Sequence, residues 1–305
     1  MIKRLFNRND NIAILIAGIF SIIIGLGVAR FAFTGLIPAM LDDYLTIKFV
    51  GILASLNFAG YLSGSIFSIF VKDINFKVYL YRFGIFLAIS TTFILAYSDN
   101  NTLWMIGRVL AGFAGAMCLI VGTSIVMQKL TIKSKTKAMG IHFSGIGFSI
   151  LTTDLLARFV LSLNYTWRDS WAVLAVFAII LSLYSVYILS FDKEVKQNAV
   201  KVKFDISIFT PFVIVLIIAY FTEGVGFVVQ ATFLPDIINN LKGLEGYGSL
   251  TWTLVGVAGI PSCIIWMLLA HRFGSSNIII IALLLQAVGI LIPAFSSNIY
   301  LNLLS

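Results

Sequence analysis

The sequence predicts an all-helical protein (all-α) that is embedded in a membrane along its whole length. Of its 305 residues 60% are hydrophobic and only 11% are charged, whereas soluble domains carry about 25% charged residues. Nine apolar runs are each long enough for a spanning helix, which needs about 20 residues. The runs are continuous and lack the apolar–polar alternation of barrel strands, so we expect helices.

The nine runs give the predicted elements in chain order. The first run is roughly twice as long as the apolar core of a signal peptide, so it predicts a spanning helix rather than a cleaved signal. The predicted helices cover 12–40, 49–71, 78–97, 103–127, 138–163, 171–191, 208–234, 249–270 and 276–294. The tail at 298–305 is expected to begin a tenth helix.

The distribution of lysine and arginine predicts the orientation. With the N-terminus inside, fifteen of the 21 basic residues fall in cytoplasmic segments, and the outer loops hold Lys48, Arg168 and Lys242. Because basic residues are retained on the cytoplasmic side, we expect a multi-pass membrane protein with a cytoplasmic N-terminus. The same distribution explains the net charge of +8 by contact with anionic lipid, and predicts no nucleic-acid partner.

Motifs and cysteines narrow the class of function. No G-x-x-x-x-G-K-[ST] run occurs, which disfavours an ATP-driven pump, and no H-E-x-x-H or G-x-S-x-G run indicates a hydrolase. The two cysteines, Cys118 and Cys263, lie in apolar runs and are interpreted as small buried hydrophobes. We therefore expect a protein that is not an enzyme and that uses no cofactor or metal.

An internal repeat with an offset of 199 residues predicts two related halves. Four features recur in order: the glycine pairs Gly25/Gly27 and Gly224/Gly226, the runs GYLSG (60–64) and GIPSC (259–263), the loop pairs Lys72/Asp73 and His271/Arg272, and, with the offset shortened by two, Pro38 and Pro235. The predicted domains are a six-helix half at 1–191, a cytoplasmic linker at 192–206 and a partial second half at 207–305, with helices seven to nine and the start of helix ten. Parallel repeats of this kind are typical of secondary transporters.

Three stretches on the first, fourth and seventh predicted helices carry a resemblance to a known family. They read GLGVARFAFTGLIPAM at 25–40, GRVLAGFAGA from Gly107 and EGVGFVVQATFLP from Glu223. They resemble the major facilitator superfamily, and more specifically its YbfB/YjiJ-like branch of bacterial permeases. The resemblance implies a major facilitator-type bundle in the bacterial inner (plasma) membrane. Such a bundle would carry a small organic solute by alternating access, with a proton gradient as the driving force.

The repeat offset also implies a full chain of roughly 400 residues, because a parallel repeat needs two complete halves. We therefore expect this chain to be truncated after the ninth helix. That leaves an alternative function class, a truncated membrane protein that does not transport.

Five charged residues lie well inside the predicted helices: Arg30, Arg108, Asp154, Arg158 and Glu223. Such residues are costly in lipid and therefore face the interior of a bundle. Arg30 and Glu223 each lie about 18 Å from an outer loop, near the midplane, where transporter sites usually occur. We expect these charges to form the substrate or coupling cavity.

Each of these charges has an alternative role. Arg30 suits an anionic or hydroxyl-rich solute and Glu223 a proton or a cationic group, but either could belong to a buried ion pair that only locks one conformation. Asp154 and Arg158, four residues apart, are expected to pair with each other, and could be a pair that opens during transport. Arg108 could enter the cavity, as the resemblance implies, or extend to lipid headgroups.

Three cations against two anions inside the helices favour an anionic small-molecule solute. The other expected partner is the lipid bilayer, and the chain is expected to be a monomer. Gly25 and Gly27 are expected to serve close helix packing rather than flexibility. His142, near the cytoplasmic end of the fifth helix, is expected to be a polar packing residue rather than a proton relay.

Overall fold

The computed structural model describes residues 2–41, 43–131, 135–191, 206–241, 243–295, 298 and 301. Within these residues nine helices are long and apolar enough to cross a membrane, and no strand occurs. They are α1 (Asn11–Leu41), α2 (Ile47–Phe70), α3 (Ile74–Tyr97), α4 (Asn101–Lys129), α5 (Lys135–Ser162), α6 (Trp167–Ile188), α7 (Pro211–Asn239), α8 (Gly248–Phe273) and α9 (Ser275–Phe295). The predicted all-helical membrane bundle is confirmed. Most of the predicted linker, 192–205, and most of the predicted start of a tenth helix lie outside the described residues.

Short polar residues fix where the helices begin. Thr166 and Asp169 form a capping box at the start of α6, in which each side chain accepts a hydrogen bond from the other residue's backbone N–H. The starts of α1, α2, α3, α4 and α7 are capped in turn by Asp10, Thr46, Asp73, Asn100 and Thr210. A cap of this kind contributes about 1 kcal/mol. These residues separate the apolar runs, which is why the runs predicted the helix starts within a few residues.

The end of α7 departs from the prediction. The predicted helix stops at residue 234, before Pro235, but α7 continues through Pro235 to Asn239. Proline removes one intrahelical hydrogen bond, and membrane helices tolerate this when neighbouring groups satisfy the backbone. In the same way α1 continues through Pro38 to Leu41.

The direction of each helix follows from the connections. The loops that join α1 to α6 in turn, and α7 to α9 in turn, are short, so the helices that they connect run in opposite directions. We call the end of the bundle where α1 begins the near face and the end where α1 finishes the far face. The last turns of α7 also reach the far face, because Phe233 lies beside Gly51 in the first turns of α2.

The helix α1 lies at the centre of the bundle, and most of its residues are buried. Residues Ile23–Phe31 of α1 and Met117–Val121 of α4 are π-helical, a geometry that is frequent at functional sites. The two segments pack together where Gly25 meets Cys118, and Ser21 Oγ donates a hydrogen bond to the Cys118 carbonyl at 2.8 Å. A side chain at Gly25 would collide with Cys118, so the predicted packing role of this glycine is confirmed.

The helices α5 and α8 form a seam between the first six helices and the last three. Gly147 of α5 lies directly against the backbone of Gly259 and Ile260 in α8. A Cβ at Gly256 of α8 would lie 2.7 Å from the backbone nitrogen of Leu151. Glycines on both helices therefore let the two backbones touch, as expected for small residues between membrane helices.

An aromatic cluster ties the far ends of α1, α4 and α6 together. Tyr44, in the loop after α1, lies 5.2 Å from Trp104 and 5.9 Å from Trp167 between ring centroids. Its hydroxyl donates a hydrogen bond to the Asp99 carbonyl at 2.8 Å. Partial burial and the Asp99 carboxylate raise the pKa of Tyr44, and the Arg168 cation opposes that shift. The cluster holds the first six helices together at the level where aromatic belts lie in membranes.

Candidate functional site

Arg30 projects from the π-helical segment of α1 towards aromatic residues of α2. Its guanidinium carbon lies 4.3 Å from the centroid of the Phe58 ring and 5.8 Å from that of Tyr61. The face of an aromatic ring attracts a cation. Among the described residues, the Arg30 side chain forms no hydrogen bond and no ion pair. An aromatic cage therefore holds this cation, and its N–H donors have no partner in the part of the chain that the structure describes.

Arg108 braces the same segment from α4. It is 2% exposed and donates a hydrogen bond from Nη1 to the Ala29 carbonyl at 3.0 Å. Its guanidinium carbon lies 4.4 Å from the Phe33 centroid, and its own carbonyl accepts a hydrogen bond from Asn57 Nδ2 at 3.1 Å. Arg108 thus links α1, α2 and α4, and its burial rules out the alternative that it extends to lipid headgroups.

Loss of this brace is expected to weaken the fold. Arg108→Ala leaves the Ala29 carbonyl without its donor inside the bundle, which costs about 1–3 kcal/mol of unfolding free energy. The control is Arg168→Ala, which removes a part-exposed ion pair with Asp99 and costs about 0–1 kcal/mol. Thermal denaturation in detergent measures both, and equal losses would contradict the bracing role.

Asp154 lies where α5 meets α8. Its Oδ2 accepts a hydrogen bond from Thr253 Oγ1 at 2.6 Å and lies 3.0 Å from Arg158 Nη2. The predicted pairing of Asp154 with Arg158 is confirmed. The carboxylate also packs beside α1, because a Cβ at Gly35 would lie 3.0 Å from Asp154 Oδ1.

A cavity of about 400 Å³ lies between the first six helices and the last three. Phe31 of α1 and Ile150 of α5 line one side, and Glu223, Trp252 and Gln286 of α7, α8 and α9 line the other. Its volume is in the range of sites for small organic molecules. Most of its lining is apolar, with few polar groups to orient a ligand.

Glu223 is the acidic group of the cavity. It is half-buried and accepts a hydrogen bond from Gln286 Nε2 at 2.9 Å. Within the described ranges, no basic side chain lies within ion-pair distance of Glu223. Across the cavity the rings of Phe31 and Trp252 meet edge to face with centroids 6.0 Å apart. The buried Trp252 Nε1 has no hydrogen-bond partner among the described residues.

Comparison with protein families decides the identity of the bundle. The family described as "Uncharacterised MFS-type transporter YbfB" matches residues 22–305. The chain belongs to this family. It is therefore a multi-pass membrane protein of a bacterial major facilitator transporter family, as its resemblance implied, and this membership points to a transporter rather than an enzyme.

A curated relative supports the same superfamily branch. The Protein TsgA homolog of Buchnera aphidicola subsp. Baizongia pistaciae is 24% identical to the chain over 161 residues. These residues make up 52% of this chain and 41% of the relative, so the match spans about two fifths of the relative's length.

In this member of the YbfB family the five predicted site residues separate into three places. Arg30 and Arg108 lie together at the π-helical segment of α1. Asp154 and Arg158 lie at the α5–α8 seam, and Glu223 lines the cavity. Arg30 does not line this cavity itself, but the next residue in the chain, Phe31, does.

Several residues that contact the predicted site residues were not predicted from the sequence. Phe58 and Tyr61 hold Arg30, Thr253 bonds Asp154, and Gln286 bonds Glu223. Aromatic and threonine residues are common in membrane helices, so nothing in the sequence singles them out. Gln286 could have been singled out from the sequence, because it is an uncharged but strongly polar residue inside an apolar run.

His142 is fully buried in the near half of α5. Its Nε2 lies 2.9 Å from Thr123 Oγ1 of α4, and its ring packs on Gly18 of α1. Three helices therefore meet at this ring, which is the placement of a packing residue.

Proposed function

We propose that the protein is a secondary active transporter that moves a small organic solute across the bacterial inner membrane by alternating access. The moving bodies would be residues 1–191 and 207–305, joined by the segment 192–206. The proton gradient would drive the transport, as the resemblance to proton-coupled permeases implies.

The cavity between the two groups of helices is the observation that carries this proposal. Both groups contribute walls, with Phe31 and Ile150 facing Glu223 and Gln286. Transporters of this class bind their substrate near the midplane between the repeats and move one repeat against the other. A solute held at such a place is exposed to one side or the other as the two bodies rock.

An anionic group on the solute fits the environment of Arg30. A cation inside the membrane is expensive unless it is paired, and aromatic rings attract it without filling its five N–H donors. A carboxylate would bond this planar fork in the bidentate way that arginine favours. The apolar lining of the neighbouring cavity suits the hydrocarbon part of the same solute.

Orientation and oligomeric state complete the proposal. Most lysines and arginines belong to segments on the near face, so the near face would be cytoplasmic by the positive-inside rule. One copy of the chain supplies both walls of the cavity. A monomer would therefore be the working unit.

Transport into sealed proteoliposomes tests the function. Purified protein is reconstituted, a pH gradient is imposed, and a panel of radiolabelled aliphatic and aromatic carboxylates is offered. We expect at least one carboxylate to accumulate above the level in protein-free liposomes, and a protonophore to abolish the excess. If no member of the panel accumulates, or if accumulation ignores the gradient, the proposed function is wrong in substrate class or in coupling.

A further inference from the structure

Asp154 joins three helices that belong to both sides of the cavity. It is 2% exposed. Its Oδ2 accepts a hydrogen bond from the Thr253 hydroxyl of α8 and forms an ion pair with Arg158 of α5. Gly35 of α1 leaves just enough room for its other oxygen, Oδ1. A single buried carboxylate therefore ties the first six helices to α8.

This contact closes the seam on the side of the far face. Asp154 lies eight residues before the end of α5, at Ser162, which places it about 12 Å from that face. Thr253 lies five residues after the start of α8, at Gly248, or about 8 Å from the same face. Opening the cavity towards the far face requires α5 and α8 to separate at this level.

The contact is also next to the cavity. Trp252, which precedes Thr253, lines the cavity and packs edge to face on Phe31. The indole Cδ1 of Trp252 would lie 3.5 Å from a Cβ at Gly35, so Trp252 and Asp154 Oδ1 pack against the same glycine of α1. An occupant of the cavity that shifts Trp252 therefore acts on the adjoining Thr253.

We propose that Asp154 is the site that binds the coupling proton, and that this proton releases the α5–α8 seam towards the far face. The inference rests on the proposed function. The proton is taken from water onto a carboxylate oxygen and returned to water from the same atom. When Asp154 is ionised, it attracts Arg158 and accepts a charge-assisted hydrogen bond from Thr253, and such bonds are about twice as strong as neutral ones. Protonation removes the ion pair and weakens the bond to Thr253, so the seam loosens.

Among the described residues, Arg158 is the charged group that faces Asp154. On α1 its neighbour is Gly35, and on α8 its neighbours are Trp252 and Thr253. The charged residues of α6 are Arg168 and Asp169, in its first turn, and those of α8 are at its opposite end. Asp169 is held by Thr166, and Arg168 pairs with Asp99. None of these charges competes for the carboxylate of Asp154.

The other carboxylate of the site is less suited to this task. Glu223 bonds Gln286, and both residues belong to the last three helices. A proton on Glu223 would change a contact inside one body, whereas a proton on Asp154 changes a contact between the two bodies. Control of closure therefore belongs to Asp154.

A cysteine reporter at the seam tests the proposal without a known substrate. Ile150 is 5% exposed and lies one turn before Asp154, facing the cavity. The full chain carrying Ile150→Cys, with Cys118→Ala and Cys263→Ala, is reacted with a membrane-impermeant maleimide over a range of pH. Each rate is divided by that of the same chain carrying Asp154→Asn at the same pH, which removes the pH dependence of the thiol itself.

We expect the ratio to be near one at the acidic end of the range and to fall about tenfold as the pH rises. Thr253→Val, which keeps the shape but loses the hydroxyl, is expected to raise the rate at high pH, and the matched control Thr253→Ser to leave it unchanged. A ratio that stays constant with pH, or equal rates for the Val and Ser variants, would overturn the proposal. The comparison of Thr253→Val with Thr253→Ser does not use Asp154→Asn, so it still tests the proposal if Asp154→Asn fails to fold.

The assay separates the two proposals. If proteoliposomes show proton-driven uptake but the labelling ratio ignores pH, the protein is a transporter whose proton binds elsewhere. If labelling follows pH but no gradient drives uptake, Asp154 is a proton-controlled seam in a protein whose proposed function fails.

Discussion

Arg30→Ala is expected to reduce solute uptake by about 10–100-fold, because the anionic group of the solute loses a charged donor inside the membrane. Expression and thermal stability are expected to change little. The Arg30 side chain forms no hydrogen bond or ion pair with the described residues, and its cage is made of Phe58 and Tyr61. Uptake by proteoliposomes and elution of the purified protein as one species measure the two effects separately.

Two further substitutions show whether the loss is specific. Arg30→Lys keeps the charge but not the planar fork of donors, so partial uptake is expected. Lys48→Ala removes one exposed positive charge from the first turn of α2 and is expected to have no effect. Normal uptake by Arg30→Ala would show that the solute does not use this guanidinium.

Gly147→Ala is expected to destabilise the contact between α5 and α8. Its Cβ would overlap the backbone of Gly259 and Ile260, and backbone atoms cannot turn aside as a side chain can. Overpacking costs about 1–3 kcal/mol, which at about 2–4 °C per kcal/mol predicts a fall in Tm of about 2–12 °C. Thermal denaturation of the purified protein in detergent measures it.

The matched control is Gly224→Ala on α7. No atom lies within 4 Å of a Cβ at Gly224, so this substitution is expected to leave Tm unchanged or to raise it slightly, since alanine favours helix. If the two variants melted at the same temperature, α5 and α8 would not cross at Gly147.

The sequence predicted the helices well because two signals agree along it. Apolar runs give the spans, and short polar residues such as Thr46 and Asn100 cap them. The prediction ended α7 at residue 234, but the helix continues through Pro235, because a proline costs a membrane helix one hydrogen bond and not the whole last turn. The π-helical segments could not be foreseen, because they depend on how α1 and α4 pack around Gly25.

The site was predictable only in part. The cost of a charge in lipid selected Arg30, Asp154 and Glu223, and spacing alone predicted the bond from Asp154 to Arg158. The bond from Asp154 to Thr253 joins residues 99 positions apart, and no pattern in a single sequence encodes such a contact. For the same reason the direction of Arg108, towards Ala29 and away from lipid, emerged only from the packing.

Distances between spin labels at the two faces would test alternating access most directly. One labelled pair replaces Tyr97 and Tyr247 at the far ends of α3 and α8, and the other replaces Phe76 and Phe273 at their near ends; all four side chains are exposed. Double electron–electron resonance is recorded at acidic and alkaline pH, with and without a transported carboxylate. We expect the far-face distance to lengthen when the near-face distance shortens. If the far-face and near-face distances each keep one value under every condition, alternating access is contradicted.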